Sequence, residues 1–368
     1  MKNISIIGIG KLGLCFALTL EKSGYNILGV DISQEYVDLI NSKKLKSSEQ
    51  GVEEYLSNSK NFLASTSIVD ALAHSDVLFV VVATPSLTNG RYNHSQVDTL
   101  VEKLKLLGPQ KTTKHFVICC TTMPQYSDSV QERIGHLNYV VSYNPEFIAQ
   151  GTILKNQEKP DMVLIGEGSK EAGDILENIY KNHTTNEPSI HRMSRTEAEL
   201  CKISLNCFLT TKIAFANMVG DIAIKSNCNP HKILSAIGSD TRIGKKYIGY
   251  GYGYGGPCFP RDNRALAIYA NDVNINALIS KASDESNKLH LQYQVQSIID
   301  SGIKEITFDY VTYKPESVLL EESQQLLVAL KLAEAGIKVS IIERTEIIRE
   351  LQQKYGNIFS YQCKQQPN

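Results

Sequence analysis

No stretch of this chain approaches the ~20 consecutive apolar residues that span a bilayer, so no membrane partner is expected. The net charge is −1, which gives nucleic acid no electrostatic hold. None of the eight cysteines (Cys15, Cys119, Cys120, Cys201, Cys207, Cys228, Cys258 and Cys363) forms a C-x-x-C pair. In a chain of 368 residues that argues against a zinc site or a disulfide framework. No metal is expected, and a reducing, cytoplasmic setting fits. The segment from Met1 to Gly10 lacks the length and the small-residue cleavage site of a signal peptide. It reads instead as a first strand. There is no internal repeat and no low-complexity tail. What remains is a composition of 42% hydrophobic and 21% charged residues, that of a soluble globular protein long enough for two or three domains.

The first organised feature is a strand, Ile4 to Ile7, followed at once by Gly8-Ile9-Gly10-Lys11-Leu12-Gly13 and a helical pattern from Leu14 to Ser23. In that context G-x-G-x-x-G is a dinucleotide-binding fingerprint. The first glycine makes the turn, the second lets backbone approach a pyrophosphate, and the third lets helix pack on strand. The anion sits at the helix N-terminus, where free N–H groups and the dipole favour it. A second strand, Asn26 to Val30, ends in Asp31. An acid about 20 residues past the glycines accepts from the ribose hydroxyls of NAD and repels the extra phosphate of NADP.

The alternation continues. Val77 to Val82, Phe116 to Cys120, Tyr139 to Ser142 and Val163 to Gly166 read as buried strands. Ligands of open α/β sheets bind beyond the carboxyl ends of strands. Thr84 with Pro85, Thr122 and Glu146 all follow such ends. Each taken singly also reads as a turn residue or helix cap, and their shared location is what singles them out.

Ser194-Arg195-Thr196-Glu197 is a capping box opening a long helix to about Lys225. On that helix Glu199, Lys202, Asn206 and Thr210 share one stripe. A polar stripe is commonly a solvated face, but apolar residues occupy much of this helix, and a buried lysine or asparagine needs partners. A second helix starts at Asn229 and Pro230 and runs to about Gly238.

From Tyr247 to Asp262 the chain reads Y-I-G-Y-G-Y-G-Y-G-G-P-C-F-P-R-D. Glycines at 249, 251, 253, 255 and 256 let backbone N–H groups approach a ligand. Pro257 and Pro260 stiffen the turn around Cys258. Beyond it the pattern is helical to about Asp300, then a second β-α-β unit follows: a strand at Glu305, a helix from Ser323 to Gly336, and a strand from Lys338 to Ile342. About 65 residues follow Ile303, so this last domain reads as a short one.

These blocks resemble the UDP-glucose/GDP-mannose dehydrogenase group of nucleotide-sugar 6-dehydrogenases, nearly end to end. The matching residues are G-x-G-x-x-G at Gly8, A-T-P at Ala83, T-T-M-P at Thr121, N-P-E-F at Asn144 and E-L-C-K-x-x-x-N from Glu199. They continue with D-T-R-I-G at Asp240, G-Y-G-G-P-C-F-P-R-D around Cys258 and Y-K-P at Tyr313. The resemblance implies an N-terminal Rossmann-like doubly wound α/β domain (1–195), a central helical dimerisation domain with the cysteine loop (196–300) and a short C-terminal Rossmann-like α/β domain that binds the nucleotide sugar (301–368). It implies NAD as cofactor, a UDP-sugar substrate and a homodimer. It also implies a four-electron oxidation at C6 in which Cys258 carries a thiohemiacetal and then a thioester, which water hydrolyses to the uronate. Lys202 and Asn206 then stabilise the developing oxyanion, and Glu146, Thr122 and Asp262 position or deprotonate water. Gly8 to Gly13, Asp31, Thr84, Pro85, Thr122, Glu146 and Arg261 match cofactor-contacting positions. Phe147, Ile148, Lys202, Asn206, Arg242, Tyr247, Tyr252, Gly255 and Lys314 match substrate-contacting positions.

Three positions depart from the pattern. Ala149 stands where the family has arginine, Arg261 where it has lysine, and Glu321 where it aims an arginine at NAD. UDP-glucose is the first substrate expectation, with UDP-N-acetylhexosamine or GDP-mannose as alternatives. A two-electron dehydrogenase using Lys202 and Asn206 without the thiol leaves the cysteine block unexplained. A catalytically inactive NAD-binding regulator is the reading from another class; intact Cys258, Lys202, Asn206 and Glu146 argue against it.

Overall fold

The computed structural model describes residues 2–148, 151–315 and 317–364; Ala149 therefore lies outside the described residues. The chain divides into two compact units, Met1–Lys202 and Ile203–Asn368.

The first unit opens with β1 (Asn3–Ile7), α1 (Lys11–Lys22), β2 (Asn26–Val30), α2 (Gln34–Asn41), α3 (Val52–Asn58), β3 (Phe62–Ser65), α4 (Ile68–His74) and β4 (Val77–Val80). It continues with α5 (Ser95–Leu107), β5 (Lys114–Ile118), α6 (Tyr126–Ile134), β6 (Tyr139–Tyr143), α7 (Ile153–Glu158), β7 (Met162–Gly166), α8 (Lys170–His183) and β8 (Ser189–Met193). Among the described residues these strands form one sheet in the order β3-β2-β1-β4-β5-β6-β7-β8. Neighbours pair in parallel except β6 with β7, which meet antiparallel at Tyr143 and Gly166. The order reverses beside β1, so the β1–α1 turn lies at the switch point where such sheets bind dinucleotides.

The continuous apolar runs have a simple cause: both faces of the sheet are covered. Alternate residues of a strand point to opposite faces. Ile6, Phe79 and Val117 join Phe16, Leu18 and Tyr180 in one core. Their neighbours Ile7, Leu78, Val80, Phe116 and Ile118 join Val97, Leu104 and Val130 in the other.

Helix α9 (Arg195–Lys225) begins in the first unit, and the division between units falls within it. Its start is the capping box read from the sequence. Ser194 N and Oγ donate to Glu197 Oε2 at 2.8 and 2.6 Å, and Glu197 N donates back to Ser194 Oγ at 3.4 Å. By length and composition α9 is apolar enough to cross a membrane, with a mean hydropathy of 1.3 over its most apolar window, of which 39% is buried. Ser204, Asn206, Thr210, Lys212 and Asn217 interrupt it in sequence, so it does not read as one apolar run.

The second unit adds α10 (Pro230–Ser239), α11 (Phe259–Asp272), α12 (Leu278–Asp300), β9 (Glu305–Phe308), α13 (Gln324–Glu334), β10 (Lys338–Glu343), α14 (Thr345–Tyr355) and β11 (Ser360–Cys363). The three strands form a small parallel sheet in the order β11-β10-β9. Its core is Phe308, Val311, Leu326, Leu332, Val339 and Ile341, with Leu351 and Phe359 closing the far side. Asn229 caps α10, its side chain accepting from His231 N and Lys232 N ahead of Pro230. The helical pattern expected from Cys258 to Asp300 is broken. Chain 273–277 separates α11 from α12, with Asn274 in the left-handed region at φ 60°. Asparagine tolerates that conformation.

Candidate active site

In the first unit the glycine fingerprint takes the roles its spacing predicts. Gly8 has φ 89°, and a Cβ there would meet the Val81 carbonyl oxygen at 2.6 Å. A Cβ on Gly13 would meet the Gly8 oxygen at 2.0 Å, so only glycine lets α1 pack this close to the turn. Gly10 has nothing within 4 Å of its Cβ position. The turn is thus closed on the protein side and open at the start of α1, which fits a pyrophosphate on the free N–H groups of Lys11 and Leu12. Asp31 follows β2, half-buried, with Oδ1 accepting from Ser33 N at 3.1 Å. The buried Thr84 hydroxyl donates to the Thr121 carbonyl at 2.7 Å, while Pro85 is exposed.

Thr122 is buried and its hydroxyl donates to Glu199 Oε1 at 2.9 Å. Glu199, fully buried, also accepts from Ser127 N and Oγ at 2.8 and 2.6 Å and from Gln125 N at 2.7 Å. Burial raises its carboxyl to about 6 against these four donors. Sequence reasoning placed Glu199 on the polar stripe but missed this role: it fastens the loop carrying Thr122 to α9. The signal was the E-L-C-K block itself, in which a carboxylate among apolar residues demands donors.

Glu146 follows β6 in the N-P-E-F turn. Asn144 holds that turn: its Nδ2 donates to Leu164 O at 2.8 Å and its Oδ1 accepts from Tyr180 Oη at 2.7 Å. Desolvation pushes the Glu146 carboxyl up to about 7, with the Lys202 charge opposing. Lys202 is 8% exposed; Nζ donates to the Glu146 carbonyl at 2.6 Å and lies 4.2 Å above the Phe147 ring. Phe147 and Ile148 are half-buried. The structure therefore brings Glu146, Phe147 and Lys202 together.

In the second unit Asn206 Nδ2 donates to Asp262 Oδ2 at 2.6 Å, and Arg261 Nε donates to Asp262 Oδ1 at 3.2 Å. Asp262 is fully buried, so its charge is met by an amide and a guanidinium, as a buried carboxylate requires. Cys258 is exposed and caps α11, its carbonyl accepting from Asp262 N at 2.8 Å. A helix N-terminus favours an anionic group.

Only part of the glycine run is open. Gly249 and Gly251 have nothing within 4 Å of a Cβ. A Cβ on Gly255 would meet the Glu322 carbonyl oxygen at 2.2 Å, and one on Gly256, at φ 79°, the Tyr313 ring at 2.6 Å. Those two glycines let the Cys258 loop pack against the C-terminal segment, a role the expectation of ligand approach did not include. The loop is also held by Asn287, whose Oδ1 accepts from Tyr254 N at 2.9 Å and whose Nδ2 donates to Tyr254 O at 3.0 Å. Tyr254 Oη donates to Asp284.

The other predicted substrate contacts of this unit are exposed or bonded locally. Arg242 is exposed and doubly bonded to Asp240, at 3.0 and 2.7 Å. Tyr247 has φ 63° and is 45% exposed, and Tyr252 is 38% exposed. Lys314 Nζ lies 5.7 Å from the Tyr313 ring centroid. Glu321 is exposed, and its carbonyl accepts from Gly256 N at 3.1 Å. Among the described residues no group of three His, Cys, Asp or Glu is arranged to hold a metal.

The model of the UDP-glucose/GDP-mannose dehydrogenase family NAD binding domain matches residues 2–184, and that of the family's central domain matches residues 196–289. A GDP-mannose 6-dehydrogenase of Pseudomonas savastanoi pv. phaseolicola is 27% identical over 356 residues, 93% of this chain and 80% of the relative. The solved UDP-glucose dehydrogenase of Pyrobaculum islandicum is similar at TM-score 0.88 and 27% identity, covering 98% of this chain and 86% of its own. The solved GDP-mannose dehydrogenase of Pseudomonas aeruginosa is similar at TM-score 0.61 and 26% identity, covering 98% and 88%. With two domain models of one family spanning most of its length, the chain belongs to the UDP-glucose/GDP-mannose dehydrogenase family of NAD-dependent nucleotide-sugar 6-dehydrogenases.

Proposed function

We propose that this chain oxidises the C6 hydroxymethyl group of a nucleotide sugar to the carboxylate, through a covalent adduct on Cys258. The observation that carries the reading is the exposed Cys258 thiol at the first turn of α11, on a loop that Gly255 and Gly256 allow to pack tightly. NAD, when bound, is the hydride acceptor of both oxidations. The chain's own residues do the rest. The Cys258 thiolate adds to the C6 aldehyde to give a thiohemiacetal. After the second oxidation it leaves from the thioester when water attacks, so the thiol is regenerated and the acid is released. Lys202 and Asn206 donate to the oxygen that gains negative charge. Glu146, raised to about 7, is suited to take a proton from water near neutral pH. Thr122 and Asp262 hold that machinery in place through Glu199 and Asn206.

UDP-glucose is the substrate we favour. The stronger structural likeness to a UDP-glucose dehydrogenase supports it, and the sequence likeness to GDP-mannose 6-dehydrogenases makes GDP-mannose the second reading. We assign 1–195 to cofactor, 196–300 to the thiol and dimerisation, and 301–368 to the nucleotide sugar, with Arg242, Tyr247, Tyr252, Gly255 and Lys314 contacting it. Phe208, Phe215 and Ile222, seven residues apart on α9, with Met218 between the last two, form an exposed apolar stripe, which supports a homodimer. Buried Asn206 and Thr210, both hydrogen-bonded to neighbours, support packing of this helix against protein rather than lipid; we keep the cytoplasmic setting as the reading from the cysteine pattern.

The test is NADH formation across a panel of UDP- and GDP-sugars with product analysis. Two NADH per sugar and an acid product are expected, with acid formation abolished in Cys258→Ala. One NADH and a released aldehyde from the unaltered protein refute the mechanism.

A further inference from the structure

Behind the N-P-E-F turn, inside the first unit, lies a small cavity lined by Phe16, Glu146, Gln157, Met162, Tyr180 and His183 among others. About 10 Å³ is open to the centre of a water-sized sphere, room for about one water. Four buried polar atoms on its walls have no hydrogen-bond partner among the described residues: Glu146 Oε1, Gln157 Nε2, Gln157 Oε1 and His183 Nε2. Gln157 is 3% exposed and His183 2%. Leaving such groups unpaired is costly, so a cavity with this lining is built for a polar occupant.

The network fixes what each wall presents. Ser23 Oγ spends its proton on the Thr19 carbonyl at 2.9 Å, so it accepts from His183 Nδ1–H at 3.2 Å. Burial holds His183 neutral, down at about 4. Its Nε2 therefore offers a lone pair to the cavity. Gln157 offers both a donor and an acceptor.

We infer that one bound water joins Glu146, Gln157 and His183, and that Gln157 and His183 are positioning residues for the Glu146 carboxyl. With Glu146 ionised, the water donates to Glu146 Oε1 and to His183 Nε2 and accepts from Gln157 Nε2–H. With Glu146 protonated, the carboxyl O–H donates to the water, which then donates to His183 Nε2 and Gln157 Oε1. An amide serves both states because it carries a donor and an acceptor side by side, where an aliphatic side chain would serve neither.

The inference rests on the reading of Glu146 as the group that takes a proton from water. The ionisable groups facing Glu146 are Lys202 on α9, Tyr180 and His183 on α8 and Cys119 after β5, and Glu158 on α7 acts on His183. Burial holds Tyr180 and Cys119 well above their ordinary values. Neither these nor His183 changes charge while Glu146 titrates.

The experiment replaces Gln157 by methionine, which keeps the length and removes both polar ends. The ionised carboxyl loses more than the neutral acid, because hydrogen bonds to charged groups are the stronger ones. The acid limb of the kcat–pH profile should move up by about one unit, with KM for the sugar unchanged. The protonated-carboxyl infrared band that disappears in Glu146→Gln should titrate with the same upward displacement, a reading that needs no turnover. If Gln157→Met does not fold, a high-resolution crystal structure of the unaltered protein decides. A water within hydrogen-bond distance of all three side chains supports the inference, and a dry cavity overturns it. An unmoved acid limb and infrared midpoint in a folded Gln157→Met also overturn it. An acid limb that survives in Glu146→Gln would instead remove the reading of Glu146, and the infrared titration would still judge the water site by itself.

Discussion

Lys202 Nζ donates to the main-chain carbonyl of Glu146 at 2.6 Å, so the ammonium reaches the backbone of the same residue whose carboxyl it stabilises. One residue of α9 thus sets both the path of the N-P-E-F turn and the charge beside it. If Lys202 serves as the oxyanion donor of the proposed mechanism, replacing it by alanine should cost about 100- to 1000-fold in kcat. The substitution also removes the charge that holds Glu146 down, so the acid limb should move to higher pH. Steady-state kinetics on the favoured sugar nucleotide should show kcat falling far more than the affinity for substrate. A near-normal kcat in Lys202→Ala would return Lys202 to a structural tether.

The raised Glu146 carboxyl also predicts a dependence of stability on pH. Its folded value, about 7, exceeds the ordinary 4.5, so between these values the folded state binds more protons than the unfolded one. Stability then falls as pH rises through that window and stays lower above it. Glu146→Gln removes the effect. Relative to the unaltered protein, the variant should gain on the order of 1–3 kcal/mol between about pH 4 and pH 8. Urea unfolding at both pH values measures the gap; a gap of equal size at the two ends would contradict the raised value.

Much of the cofactor half was legible because each signal was local. Gly8, Gly10 and Gly13 act through backbone geometry within six residues. The Ser194–Glu197 box and the Asn229 cap act within one turn. What was not legible depends on contacts far apart in sequence. Thr122 taken singly reads as a turn residue or helix cap past a strand; that its hydroxyl donates to Glu199, 77 residues on, was not legible. The glycines at 255 and 256 read as ligand-facing; that a Cβ on them would meet Glu322 and Tyr313 was not legible. Gln157 carried no signal at all: a single amide in a short helix becomes informative only when Glu146 and His183 share a cavity with it. Helices α2, α3 and α4 are seven or eight residues long, too short for apolar periodicity to stand out.

Asp31 gives a prediction on cofactor choice. It follows β2 at the edge of the fingerprint turn, and Ser33 N fixes its Oδ1. A carboxylate there accepts from the ribose hydroxyls of NAD and repels a 2′-phosphate. The unaltered enzyme should prefer NAD over NADP in kcat/KM, and Asp31→Ala should narrow that preference. Equal kcat/KM for the two cofactors in the unaltered enzyme would count against this role.

Gly256 predicts a backbone effect on the thiol. At φ 79° with the Tyr313 ring 2.6 Å from a Cβ position, alanine meets both strain and a clash. Left-handed strain alone costs about 1–3 kcal/mol. Gly256→Ala should slow adduct formation, read as labelling of Cys258 by a substrate-shaped aldehyde, more than it lowers NAD affinity. Gly249→Ala, with open space around it, should leave that labelling rate nearly unchanged. Equal effects of the two substitutions would show that the packing of Gly256 does not position Cys258.

Glu321 is the last. A carboxylate stands where the family aims an arginine at NAD. Its side chain is exposed, and the chain uses its carbonyl to hold Gly256 N at 3.1 Å. The residue after it, Glu322, takes the left-handed conformation at φ 48° and pairs with Arg264. Ser323 then caps α13 by accepting from Leu326 N. Both acids therefore lie ahead of the cap rather than inside the first turn. What Glu321 contributes is main-chain geometry under the cysteine loop, which any side chain can supply. Glu321→Gln should leave the KM for NAD and the stability unchanged within error. A several-fold fall in KM for NAD in Glu321→Gln would show that the carboxylate lies in the field of the pyrophosphate and that this enzyme carries a repulsion at that position.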